Sequence, residues 1–429
     1  MATQNRNAEI VLRSLAAVWH PCTQMKHHER IPLVPIVKGE GAWLIDADGK
    51  RYLDAVSSWW VNLFGHANSR INAALKDQLD QLEHTMLAGF THEPVIALSE
   101  RLARLTGLGH AFYGSDGASA VEIALKMSFH YWRNCGRNDK QKFVSLQGSY
   151  HGETIGALAV SDVAIFRDAY GPLLNNNLCV PFPTADTIAG DALERLLADR
   201  DHEIAALIVE PLVQGAAGMR MYDAAWLARA RELCTRHEVH FIADEIMTGF
   251  GRTGTMFACE QAGIRPDFMC LSKGLTGGYL PLSCVLTTAP IYEAFYDDDI
   301  ARGFLHSHSY TGSALACRAA LATLDIFESD RVIDANRELA RRFSPHADAI
   351  RAHPHVENFR HLGMIWAFDM KTQKAAFARD FFAAALKRGV LLRPIGKTVY
   401  FMPPYVVTEK EFNWLVTQTL ATIDEVCAA

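Results

Sequence analysis

Two charged residues close apolar runs in this chain. Asp244 ends "HFIA" within "VHFIADEI" (Val239–Ile246), and Lys273 ends "FMCLS" within "DFMCLSK" (Asp267–Lys273). They stand 273 − 244 = 29 residues apart. Charged groups at the carboxyl ends of strands in an open α/β sheet sit where ligands bind. A lysine amine there can form a Schiff base with an aldehyde. A carboxylate facing a pyridine nitrogen keeps that nitrogen protonated, so the ring can accept electrons from a substrate carbanion. Pyridoxal 5'-phosphate chemistry needs both groups. Taken alone, the pair reads equally as a strand-end salt bridge.

Further segments add to the pattern. "YGSDGASAVEIALKM" (Tyr113–Met127) reads as strand, Gly-Ser-Asp-Gly loop and amphipathic helix. Loop amides and a helix N-terminus together make an anion site suited to a phosphate, with Asp116 and Gly117 at its centre. Asp116 also reads as a plain N-cap. In "GSYHGETIGAL" (Gly148–Leu158), Tyr150 sits in a glycine-rich turn, where its ring could stack on a flat cofactor or simply pack. Glu210 closes "AALIVE", and "HSHSYTG" (His306–Gly312) is a polar loop with hydroxyls for a phosphate. The order is phosphate loop, aromatic, carboxylate, Asp244, Lys273, second polar loop.

The elements that must position these residues alternate. "HAFYGS" (His110–Ser115), "KFVSLQ" (Lys142–Gln147), "IAALIVEP" (Ile204–Pro211) and the two runs above are short and apolar, as for strands covered on both faces. Helical stretches such as Asp223–His237 separate them. The expectation is an α/β fold whose large domain, 66–320, carries a mostly parallel sheet. A smaller α+β domain is expected from both chain ends, 1–65 and 321–429. It would hold strands around the Asp-Gly turn of "GAWLIDADGKRYLDAVSS" (Gly41–Ser58), a long helix over 316–343, strands at "HLGMIWAFDM" and "TVYFMPPY", and a last helix capped near Thr408.

Composition narrows the class. The 429 residues are 49% apolar and 21% charged, enough for a large core. A net charge of −6 without basic runs argues against nucleic acid. No apolar stretch is long enough to span a bilayer. The nine cysteines are scattered, with no Cys-x-x-Cys pair, which points to reduced thiols in a cytoplasmic protein rather than a disulfide framework. The histidines, His237 and His240 included, show no zinc-ligand spacing, so no metal is expected.

Over nearly its whole length the chain resembles the class III aminotransferases, a fold-type-I pyridoxal-phosphate family. "IADEIMTGFGRTG" (Ile242–Gly254) followed by "DFMCLSKGLTGGYLPLS" (Asp267–Ser283) carries the likeness. "WHPCTQM", "SSWW", "YHGET" and "RPIGKTVYFMPPY" narrow it to the branch that aminates 8-amino-7-oxononanoate in biotin synthesis. The resemblance implies Lys273 as the Schiff-base residue and Asp244 at the pyridine nitrogen. It puts Asp116 and Gly117 at the phosphate, with His308 and Ser309 reaching the phosphate of a neighbouring subunit in a homodimer. It places Trp59, Tyr150, Arg252, Ser307 and Arg393 against substrate. Arg393 would pair with the acceptor's far carboxylate, and one of Trp59 and Trp60 would wall the chain, since neighbours on a strand face opposite ways. S-adenosylmethionine is the implied amino donor, with lysine as the alternative.

Three positions depart from the family pattern. Cys22 replaces a tyrosine near the donor, Glu153 replaces an aspartate, and "TGSALA" (Thr311–Ala316) replaces Gly-Asn-Pro-Leu-Ala. An ω-amino acid or acetylornithine aminotransferase, an aminomutase and a non-catalytic binding protein are the rival readings. Lys273 argues against the last, because only catalysis needs an amine there. The expected kinetics are ping-pong, with Lys273 as base and acid.

Overall fold

The computed structural model describes residues 6–184 and 192–428. It divides into two compact units. One comprises Met1–Ser69, Glu338–His361 and Ile365–Ala429; the other comprises Arg70–Arg337 and Leu362–Met364. The second unit thus runs past the boundary near 320 that the change of sequence texture suggested.

In the first unit, β1 (Ile36–Glu40), β2 (Trp43–Asp46) and β3 (Arg51–Asp54) form an antiparallel meander. The Asp-Gly turn forms as its residues dictate. Asp46 Oδ1 accepts from the amides of Asp48 and Lys50 at 3.1 and 2.9 Å, and Gly49 takes a left-handed φ of 89°.

The second unit is built on β4 (His110–Gly114), β5 (Lys142–Leu146), β6 (Leu178–Val180), β7 (Ile204–Val209), β8 (His240–Asp244), β9 (Phe268–Leu271) and β10 (Ser283–Thr287). Their order in one sheet is β4-β10-β9-β8-β7-β5-β6. The pairs β8–β9, β8–β7, β7–β5 and β5–β6 are parallel, and β10 runs antiparallel to both neighbours. Every residue of β7 and β8 is buried, as their unbroken apolar runs require. Each large aliphatic side chain so buried contributes about 1.5–3 kcal/mol. Helix α1 (Gly117–Asn134) lays Ala120, Ile123, Ala124 and Met127 on this sheet, against Ile242, Phe268 and Val285. Helix α2 (Ala224–Arg236) starts on the Asp223 cap, whose side chain accepts from the Ala225 amide at 2.7 Å.

The long helix expected over 316–343 is two helices, α3 (Ala314–Ser329) and α4 (Val332–Arg351). They break at Asp330-Arg331, where Arg331 takes φ 47°. A charged pair between two helical patterns of one period carries no breaker residue, so the break was not legible. Beyond it, β11 (Val356–Leu362), β12 (Ile365–Met370) and β14 (Thr398–Phe401) form a three-stranded sheet, while β13 (Val390–Leu391) joins the first sheet in parallel with β3. The last helix, α5 (Glu409–Ala428), begins in a capping box. The Glu411 amide donates to Thr408 Oγ1, and the Thr408 amide donates to Glu411 Oε2.

Candidate active site

In the second unit, the ends of adjacent parallel strands bring Asp244 and Lys273 together. Asp244 is the last residue of β8 and registers with Cys270 of β9, three residues before Lys273. Lys273 leaves its strand with φ 43°, a left-handed conformation uncommon for a side-chain-bearing residue. Burial pushes its ammonium below the ordinary lysine range, and the Asp244 and Glu210 carboxylates pull the other way. A buried amine less basic than an ordinary lysine suits a nucleophile for an aldehyde.

Asp244 is 4% exposed. Its Oδ2 lies 2.7 Å from His151 Nδ1, and its Oδ1 accepts from the Ile246 amide at 3.2 Å. His151 is buried, and its other ring nitrogen has no protein partner. The sequence pattern alone gave His151, beside Tyr150, no separate role. Its position in "YHGET", straight after a strand, was the available signal.

Glu210, noted only as a strand-end carboxylate, braces the neighbouring loops. It accepts from the Tyr150 amide at 3.0 Å and the Gly215 amide at 2.9 Å. Burial pushes its carboxyl up to about 7; Asp244 adds to that rise, and His151 and the two amides oppose it. Tyr150 donates its hydroxyl to Glu153 Oε1 at 2.9 Å, and its ring packs 5.3 Å from that of Phe166. Glu153 therefore has a definite task, fixing the phenol. Gly152, with φ 122°, lies so close to helix α1 that a Cβ would come within 2.6 Å of Ala118 Cβ.

The start of helix α1 has the anion-site geometry. Asp116 is its N-cap, accepting from the Ser119 amide and hydroxyl, both at 2.9 Å. The Asp116 carbonyl takes the Ala120 amide. The remaining first-turn amides, of Gly117 and Ala118, have no intrahelical acceptor by helix geometry. The plain-cap reading of Asp116 holds: its carboxylate shapes the turn, and the Gly117 and Ala118 amides are placed where an anion could accept from them. A Cβ on Gly117 would sit 3.0 Å from Ile246 Cγ2, which keeps this loop against the segment after Asp244. An amine, a braced carboxylate, an aromatic ring and a helix N-terminus fit an aldehyde, a pyridine nitrogen, a flat ring and a phosphate.

The polar loop folds on itself. Thr311 Oγ1 donates to the His308 carbonyl at 2.9 Å, and the Tyr310 amide donates to His308 Nδ1 at 3.2 Å. Ser307 and Ser309 are exposed. These bonds do not tie the loop to Asp116, Asp244 or Lys273 of the same chain. Arg252 is enclosed at 1% exposure, and its carbonyl accepts from the Met364 amide at 2.9 Å. Of the two histidines set aside as metal ligands, His237 pairs with Asp201 at 2.9 Å, and His240 contacts Ser128 Oγ and stacks on Trp132.

A second cluster lies in the first unit. Arg393, just after β13, donates from Nη2 to the Cys22 carbonyl at 2.9 Å, and its guanidinium sits 4.9 Å from the centre of the Trp59 ring. Cys22 thus contributes backbone to this contact, whatever its side chain. The two tryptophans do not alternate along a strand as expected. Ser57, Ser58, Trp59 and Trp60 have φ of 52, 46, 74 and 72°, one left-handed turn without a glycine. Such a turn costs about 1–2 kcal/mol per residue. The result still separates the rings: Trp60 is buried and donates to the Tyr400 hydroxyl at 3.0 Å, while Trp59 is 43% exposed.

The fold is that of the fold-type-I aminotransferases, and the comparisons identify the family. The class III aminotransferase profile matches residues 24–423, and the chain belongs to that family. It is 48% identical to the adenosylmethionine-8-amino-7-oxononanoate aminotransferase of Helicobacter pylori, over 98% of this chain and 99% of the relative. The crystal structure of the enzyme of that name from Methanocaldococcus jannaschii superposes with a TM-score of 0.94 at 36% identity, covering 97% and 99% of the two chains. An omega transaminase from Pseudomonas jessenii, solved in complex with PMP, gives 0.92 at 26% identity, with 98% of each chain covered.

Proposed function

We propose that this chain transfers an amino group to 8-amino-7-oxononanoate, giving 7,8-diaminononanoate, with pyridoxal 5'-phosphate bound at Lys273 and S-adenosylmethionine as donor. The arginine seated on Trp59 carries the choice of acceptor. A cation beside an exposed apolar ring suits a ligand with a carboxylate at the end of an aliphatic chain. The names of the relatives in Helicobacter pylori and Methanocaldococcus jannaschii support the same substrate.

The cofactor, when bound, supplies an electron sink for the carbon that loses its proton. Asp244, braced by His151, would hold the pyridine nitrogen protonated. Gly117 and the α1 N-terminus shaped by Asp116 would take the phosphate, joined by His308 and Ser309 of a second copy. Tyr150, fixed through Glu153 and Glu210, would lie against the ring. Lys273 Nζ would take the proton from the substrate carbon as base and give it back as acid. Its lowered pKa keeps the neutral amine accessible. Ser307 and Arg252 complete the substrate surroundings.

A homodimer accords with the exposed apolar residues Met86, Phe90, Leu305 and Tyr310. Nine free thiols suit the cytoplasm. No helix among the described residues is long and apolar enough to cross a membrane. S-adenosylmethionine carries a sulfonium cation. An aromatic face such as Trp59 or Tyr150 could attract that cation.

Product analysis tests the proposal. Purified enzyme with 8-amino-7-oxononanoate and S-adenosylmethionine should yield 7,8-diaminononanoate. Failure with this acceptor, but amination of acetylornithine precursors or ω-keto acids, would replace the substrate. Conversion with lysine and not with S-adenosylmethionine would replace the donor.

A further inference from the structure

We infer that Asp54 is a positioning residue that sets how tightly a chain-end carboxylate is held, because it locks the left-handed turn Ser57–Trp60 that seats Trp59 under Arg393. The inference rests on the reading that Arg393 takes the acceptor's far carboxylate.

Nothing in the local sequence favours this turn. None of its four residues is glycine, and each is left-handed. Conformations of this kind persist only where the surroundings over-determine them, and they gather at ligand clamps. Asp54 is fully enclosed. Its Oδ1 accepts from the Ser58 amide at 2.9 Å and its Oδ2 from the Ser58 hydroxyl at 2.7 Å. On the other side, His66 Nε2 lies 3.0 Å from Oδ2. Ser57 Oγ donates to the Met402 carbonyl at 2.7 Å, and Trp60 Nε1 reaches Tyr400. Trp59 is the member of the turn whose side chain is left exposed, and Arg393 is what its ring meets.

Asp54 also stands at the other half of the cluster. It registers with Leu391 of β13, two residues before Arg393. One buried carboxylate therefore governs where the ring goes, and its strand pairing governs where the guanidinium goes. A device of this cost has no use in the core, where Trp60 alone fills space. Its use is to hold an exposed indole in one place.

The test uses the holoenzyme and nonanoate, a plain long-chain carboxylate, titrated by tryptophan fluorescence. Asp54→Asn keeps the shape and removes one acceptor, so nonanoate affinity should fall about tenfold, while the half-reaction with S-adenosylmethionine changes little. Ser58→Gly also loses the hydroxyl bond but adopts the left-handed φ without strain, so its affinity should fall less than that of Ser58→Ala. Ser58→Ala keeps the strain without the hydroxyl bond and should bind about threefold more weakly than Ser58→Gly. Unchanged nonanoate affinity in Asp54→Asn, or an equal fall in the donor half-reaction, overturns the inference. Should Asp54→Asn not fold, equal affinities in the two Ser58 variants overturn it. The choice of substrate is judged separately, by whether wild-type enzyme converts 8-amino-7-oxononanoate.

Discussion

The two clusters differ in how their charges are kept. Around Lys273, charges are buried and balance one another. Asp244 and Glu210 face an amine and an imidazole, and backbone amides complete the carboxylates. Around Arg393, the charge is half-exposed, held by one carbonyl and one ring, and supported by a strained turn. Burial alters chemistry: it lowers the Lys273 amine and raises the Glu210 carboxyl. A half-exposed guanidinium keeps its charge and can meet an incoming carboxylate. The first arrangement suits bond making, the second suits recognition, and substitutions should separate the two.

Lys273→Ala should have the largest effect. It removes the amine and the proton carrier together, and turnover should fall by about 10⁴-fold or more, with loss of the visible band of lysine-bound cofactor. Asp244→Asn should come next. The amide oxygen can still accept from His151, so shape is kept and charge is lost. A contact between unit charges at an effective dielectric of about 20 is worth about 4 kcal/mol, hence about 10³-fold in the proton-transfer step of both half-reactions. Arg393→Ala should weaken the acceptor by about 2–5 kcal/mol and the donor far less, read as separate half-reactions in a stopped-flow trace. Equal losses would merge the two clusters into one function.

Glu210 offers a smaller effect with a defined pH direction. Its carboxyl is raised in the fold to about 7, so folding favours its protonated form. That contribution is fully present below the unfolded value near 4.5 and is lost as pH rises toward 7. The wild type should therefore lose up to about 3 kcal/mol between pH 4.5 and 7 from this group. Glu210→Gln cannot ionise, so its melting temperature should gain on the wild type from pH 5 to pH 8. A difference independent of pH would contradict the buried carboxyl.

Much of the chemical centre was legible because its residues end strands. Short, mostly apolar runs announce covered strands, and Asp244, Lys273 and Glu210 each stand where such a run stops. The capping box at Thr408 and the Asp-Gly turn were legible for the same reason: their residue types serve one local geometry. The left-handed turn was not. "SSWW" contains nothing that prefers positive φ, and its conformation comes from Asp54, Met402 and Tyr400, the last two 345 and 340 residues from their partners in sequence. His151 lay in plain view but needed Asp244, 93 residues on, to give it a task. Cys22 shows the opposite limit: its side chain drew attention, while its carbonyl makes the contact.

The most direct test of the division between chemistry and recognition is chemical trapping. Wild-type holoenzyme and Arg393→Ala are reduced with borohydride, digested and mapped for the cofactor-modified peptide. Full labelling of Lys273 is expected in both proteins. Label on another lysine, or loss of the Lys273 label in Arg393→Ala, would contradict it.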